Sequence, residues 1–113
     1  MTKIFHNPRC RKSRETLALV EQKEGTPEII EYLKNPPTKK ELTQIVQLLG
    51  IAPSGLLRKG EKIFKEEFKG KNLTDGQWIE AMVKNPILIV RPIVLKDGKA
   101  RIGRPPEKVL DIL

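Results

Sequence analysis

The chain opens on a short segment, Lys3 to His6, in which apolar Ile4 and Phe5 sit between polar neighbours, and this predicts a first strand. Asn7-Pro8 ends it, because the residue before a proline is pushed away from helix and proline has no amide to donate. A helical pattern follows from Cys10 or Arg11. Leu17, Val20 and Glu21 stack along it, Ser13 and Thr16 lie nearer its start, and Gly25 stops it. Glu28 to Tyr32 predicts a second short strand, ended by Asn35-Pro36-Pro37. Leu42, Ile45, Val46 and Leu49 then recur at i, i+3, i+4 and i+7, the stripe of a helix that ends at Gly50. Thr38-Lys39-Lys40-Glu41 before it is a capping box: the Thr hydroxyl accepts a first-turn amide and the Glu reaches back.

Ala52 to Lys59 predicts a turn with a short helical piece, and Lys62 to Phe68 another short helix. Thr74-Asp75-Gly76-Gln77 is a second capping box. It opens a helix with Ile79, Met82 and Val83 on one face, stopped by Asn85-Pro86. The run Ile87 to Val90 is rich in β-branched residues and predicts a buried strand, interrupted by Arg91-Pro92. Ile93 to Lys96 and Lys99 to Ile102 flank Asp97-Gly98, a two-residue hairpin signal. Arg104-Pro105-Pro106 opens a final helix with Val109, Leu110 and Leu113 apolar. The order is β-α-β, a helical middle, then a hairpin and a helix. No linker divides it, so the pattern predicts one α/β domain over residues 1–113, a sheet with helices packed on it.

Composition narrows the class. A chain of 113 residues supports one modest core, and 38% hydrophobic with 32% charged residues excludes a disordered chain. The longest apolar run is too short to span a membrane and MTKIF lacks a secretory stretch. The single cysteine can make no internal disulfide, so the expectation is a cytoplasmic protein with no membrane partner. The net charge of +8 points to an anionic partner: nucleic acid, acidic lipid or a small oxyanion. Most lysines lie among glutamates, as in Lys65-Glu66-Glu67, and read as a solvated surface. Aromatic residues at 4% give no stacking platform for bases, so no nucleic-acid partner is expected.

The stretch His6 to Arg14, HNPRCRKSR, holds the only cysteine and the only histidine of the chain, and four of its nine residues are cationic. A packing cysteine usually sits among apolar neighbours. Cys10 instead falls at a predicted helix N-terminus, with Arg9, Arg11, Lys12 and Arg14 close in sequence, a setting that stabilises thiolate. Ser13 occupies the place of the second cysteine of a C-x-x-C pair, and its hydroxyl is positioned to donate to the thiolate. With no second cysteine, any adduct on Cys10 must be resolved by an external thiol. Thr16 stands where a cysteine phosphatase needs its arginine, which excludes that chemistry. One Cys and one His fall short of a zinc ligand set, so no metal is expected. A structural cysteine on a basic surface is the plain alternative.

HNPRCRKSR, PPTKKEL, LLRK, NPILIVRPIV and GRPPEKVLDIL, in that order and nearly end to end, resemble the arsenate reductases coupled to glutathione and glutaredoxin. The resemblance implies a thioredoxin-like fold: a three-layer sandwich with a mixed sheet, flanking helices and a helical insertion. It places the catalytic cysteine at Cys10 and three oxyanion-binding arginines at Arg58, Arg91 and Arg104. His6, Ser13 and Arg14 match its supporting positions, and Pro92 its cis-proline facing the cysteine. It implies arsenate as substrate, glutathione as co-substrate, glutaredoxin or thioredoxin as partner and no bound cofactor; a monomer is expected. NADPH enters only through glutathione reductase. Arginine suits the task, since its guanidinium stays ionised and grips a tetrahedral anion bidentately. The chain departs from the family at Arg11-Lys12, where small neutral residues are usual. Two alternatives stay open. One is a Spx-type regulator that binds RNA polymerase, which the three arginines count against. The other is a glutathione-dependent reductase of another substrate.

Overall fold

A computed structural model describes residues 2–113. It divides into two compact units: residues through Asn35 together with Arg91–Leu113, and Pro36–Val90.

The first unit is a mixed sheet with helices, the α/β class that the element order predicts. Strand β1 (Lys3–His6) leads through helix α1 (Arg11–Glu24) to β2 (Glu28–Glu31). The two strands run parallel, with Ile4 opposite Ile29 and His6 opposite Glu31. A parallel pair needs a crossover, and α1 supplies it. Strands β3 (Ile93–Lys96) and β4 (Lys99–Ile102) form the hairpin, and β3 lies antiparallel to β1. The sheet order is β2-β1-β3-β4. The hairpin turns on Asp97 and Gly98, both with positive φ (49° and 75°), as this tight turn requires. A 3-10 helix, Pro106–Ile112, ends the chain.

Period-2 alternation sends Ile4 and Val94 to one face of the sheet. There they meet Val20 of α1 and Val109 and Ile112 of the 3-10 helix, with Leu17 and Leu113 at the edge. Full burial of an aliphatic side chain of this size contributes about 2 kcal/mol. Leu110, expected on the apolar face, is instead among the exposed hydrophobics. The 3-10 winding brings Val109 and Ile112, three residues apart, onto one side.

The second unit is helical. Helices α2 (Lys39–Leu49) and α3 (Asp75–Lys84) pack together, and both begin with a complete capping box, from Thr38 with Glu41 and from Thr74 with Gln77. Gly50 ends α2 in the left-handed conformation, φ 69°. Pro53–Leu56 forms a 3-10 turn and Phe64–Phe68 a single π-type turn. Leu42, Ile45, Val46, Ile79 and Met82 are buried as the stripes predict.

One expectation fails here. Ile87 to Val90 is not a buried strand. Pro86–Leu88 is a 3-10 turn, Ile87 is exposed, and only Ile89 makes an isolated bridge, to Leu57. Pro86 fixes the first φ of the turn, and that local constraint outweighs the β preference of the side chains.

Candidate active site

Cys10 is the N-cap of α1. Its amide donates to the Asn7 carbonyl at 3.0 Å, and its own carbonyl accepts the Arg14 amide at 3.0 Å. No side chain caps this helix and no acid lies in its first turn, so no side chain of the helix competes for or offsets the amides at its start. The turn before it is fastened from within. Asn7 Oδ1 accepts the Arg9 amide at 3.0 Å, and Arg14 Nη1 donates to the Pro8 carbonyl at 3.0 Å.

Behind the turn, His6, Asn7 and Ser13 are buried together. Ser13 Oγ accepts the Asn7 amide at 3.0 Å and lies 2.6 Å from His6 Nδ1. Ser13 therefore does not offer its hydroxyl to the thiolate, as the sequence suggested. The backbone amide of Ser13 does that instead. His6 is held below its usual value, mainly by burial. Glu31 opposes this, Arg14 adds to it, and Glu21 opposes. A neutral ring at ordinary pH keeps this buried bond free of net charge.

The cations next to Cys10 in sequence are not the ones that act on it. Arg9, Arg11, Lys12 and Arg14 are exposed, and Arg11 pairs with Glu15 at 3.0 Å. The groups at the sulfur come from the far end of the chain. Arg104 Nη2 donates to Cys10 Sγ at 3.6 Å, and Arg91 also hydrogen-bonds the sulfur. Burial is the largest single influence on the thiol and raises its pKa. The Ser13 amide, the Arg91 hydrogen bond and charge, and the Arg104 charge together outweigh it, so the thiol lies below its ordinary value.

Two further features concern the arginines themselves. Arg91 Nε and Nη1 are buried with no hydrogen-bond partner among the described residues. A guanidinium donor left so is costly unless something accepts from it. Arg104 is itself oriented, its Nε donating to the Arg91 carbonyl at 2.7 Å. The Arg91–Pro92 peptide is cis, as the resemblance implies, and so is Arg104–Pro105, which nothing in the sequence reading anticipated. Thus Cys10, Arg91, Arg104, His6, Ser13, Arg14 and Pro92 all fall within the first unit. Arg58 belongs to the second, where its Nε pairs with Glu61 at 3.0 Å and its amide donates to the Leu88 carbonyl. No metal-binding cluster of His, Cys, Asp or Glu occurs among the described residues, and no helix there is long and apolar enough to cross a membrane.

Asn7, Thr16 and Gly103 were not singled out as site residues from sequence. Asn7 had a signal, since Asx residues before a helix commonly tie down the turn. Thr16 and Gly103 gain meaning only from the contact between them described below.

Comparison with known proteins extends this picture. The model of the ArsC family matches residues 5–112. The uncharacterized protein YfgD of Escherichia coli K12 is 46% identical, covering 98% of this chain and 95% of its own. An arsenate reductase of Neisseria meningitidis serogroup A is 42% identical over 98% of this chain and 97% of its own. Among solved structures, an arsenate reductase from Vibrio cholerae superposes with a TM-score of 0.95 at 46% identity, covering 99% of this chain and 97% of that one. The fold is the thioredoxin-like α/β type of these structures.

Proposed function

The chain belongs to the ArsC family, and from that premise we propose that it is an arsenate reductase, acting as one domain over residues 1–113. Cys10 is its nucleophile, and Arg91, Arg104 and Arg58 are its oxyanion ligands. The observation that carries this reading is the meeting of Arg104 and Arg91 on the Cys10 sulfur, with two Arg91 nitrogens buried and without partners. Arsenate is a tetrahedral anion. The free Arg91 donors and the amides at the start of α1 are the groups to bind its oxygens.

The lowered thiol pKa favours the form that attacks. The thiolate adds to arsenic and one oxygen, after taking up protons, leaves as water; arsenic stays pentavalent. Glutathione replaces a second oxygen, again with loss of water. A further thiol, from glutaredoxin or thioredoxin, attacks the glutathione sulfur. A disulfide forms and the electron pair stays on arsenic, now trivalent. Water then cleaves the Cys10–arsenic bond and arsenite leaves. The donor must come from outside, because the chain has no second cysteine. No resident cofactor enters the scheme, and a monomer suffices for it.

The test is a coupled assay. Purified protein with arsenate, glutathione, glutaredoxin and glutathione reductase should oxidise NADPH only when arsenate is present, and the Cys10→Ser variant should not. No arsenate-dependent oxidation with this system, nor with thioredoxin and its reductase, overturns the reading.

A further inference from the structure

We propose that Gly103, seated against Thr16, is a positioning residue that sets how closely the two arginines approach Cys10. The inner face of α1 presents Ser13, Thr16 and Val20, all fully buried. Ser13 is occupied by the turn before Cys10. Thr16 has a different neighbour. A Cβ placed on Gly103 would collide with Thr16 Oγ1, and would lie 2.8 Å from Pro92 Cγ and 3.0 Å from Thr16 Cγ2. No side chain fits there without displacing the Thr16 side chain or the proline ring.

Both neighbours connect this contact to the sulfur. Thr16 is fixed to α1, its hydroxyl donating to the Lys12 carbonyl at 2.8 Å, and α1 carries Cys10 at its head. On the other side the Gly103 amide donates to the Pro92 carbonyl at 2.9 Å, while the adjacent Arg104 grips the Arg91 carbonyl. The segments Arg91-Pro92 and Gly103-Arg104 are therefore joined to each other, and Gly103 is where they rest against the helix. The absent Cβ fixes the separation between the Cys10-bearing helix and the pair of guanidinium groups. Arg104 Nη2 stands at 3.6 Å from the sulfur, so a displacement of a few tenths of an ångström matters.

Gly103→Ala tests this. The added methyl should raise the thiol titration midpoint, read from thiolate absorbance, by loosening the arginines from the sulfur. In the arsenate assay kcat/KM should fall by about tenfold or more, since small misplacements of catalytic groups are that costly. A control separates positioning from packing: Val109→Ala, in the core of the same unit, should lower stability and leave the thiol titration unchanged. Thr16→Val puts a methyl in place of the hydroxyl and perturbs the same contact more gently; it should raise the midpoint by a smaller amount. It keeps the test valid if Gly103→Ala does not fold. The thiol arm does not depend on arsenate being the substrate, so failure there is distinct from failure of the functional reading. A folded Gly103→Ala or Thr16→Val protein with native thiol titration would overturn the inference.

Discussion

The helices of the two units begin in opposite ways. In the second unit, α2 and α3 each start with a Thr N-cap, a reciprocal capping box and an acid in the first turn, Glu41 or Asp75. In each the N-cap and N3 amides are satisfied and the acid offsets the dipole. In the first unit, α1 starts with Cys10, which makes no side-chain cap, and its first turn holds no acid. Burial differs in the same sense. Among the described residues the buried polar side chains, Thr2, His6, Asn7, Ser13 and Thr16, all lie in the first unit, and four of them, all but Thr2, hold the turn at Cys10 or the helix behind it. The second unit is built for stability. The first leaves one helix start uncapped, with the Cys10 sulfur and its two arginines beside it.

Variants can break this contrast. The largest effect belongs to Cys10→Ser. Serine is a favoured N-cap, so the helix should form as before in circular dichroism while arsenate-dependent turnover falls to background. Arg91→Ala comes next. Loss of one preorganised oxyanion donor lowers kcat by about 10²–10³, and the assay should show a drop of that order in a folded protein. Removing caps in the other unit should do the reverse. Thr38→Ala and Thr74→Ala should each lower stability by about 1 kcal/mol in denaturant unfolding, with the thiol titration and turnover of the folded protein unchanged. If either cap variant shifts the thiol, the division of labour is wrong.

The smallest effect is on pH dependence. The native Cys10 pKa is lowered relative to the unfolded chain, so the unfolded state holds the proton over a range where the native state does not. That contribution to stability is complete above the unfolded thiol value and is lost as pH falls through the native one. Stability of the native protein should rise across that window relative to Cys10→Ser, measured by denaturant midpoints.

Much of this was legible in the sequence. Lys3–His6, the helix from Arg11, both capping boxes and the Asp97-Gly98 hairpin are local patterns, and each formed where its residues predicted. Ile87 to Val90 misled because β preference was set against a proline that starts a turn. The site was harder. Sequence proximity made Arg9, Arg11, Lys12 and Arg14 look like the activating charges, yet a helix start sends such side chains into solvent. The sulfur's partners come from positions some eighty and ninety residues on, brought back by strand pairing of β3 with β1; Arg104 lies 94 residues along the chain from Cys10. Only the family resemblance named them. The Thr16–Gly103 contact was not readable at all, because a missing Cβ becomes informative only beside the atoms that exclude it.

The central claim is that the distant arginines, and not the adjacent cations, lower the Cys10 thiol pKa. It is tested most directly by titrating the Cys10 thiol in two multiple variants, Arg91→Met with Arg104→Met, and Arg9→Gln with Arg11→Gln and Lys12→Gln. The account predicts that the first pair raises the midpoint toward that of an ordinary thiol and that the triple variant stays close to native. A midpoint raised by the triple variant and unmoved by the arginine pair would contradict it.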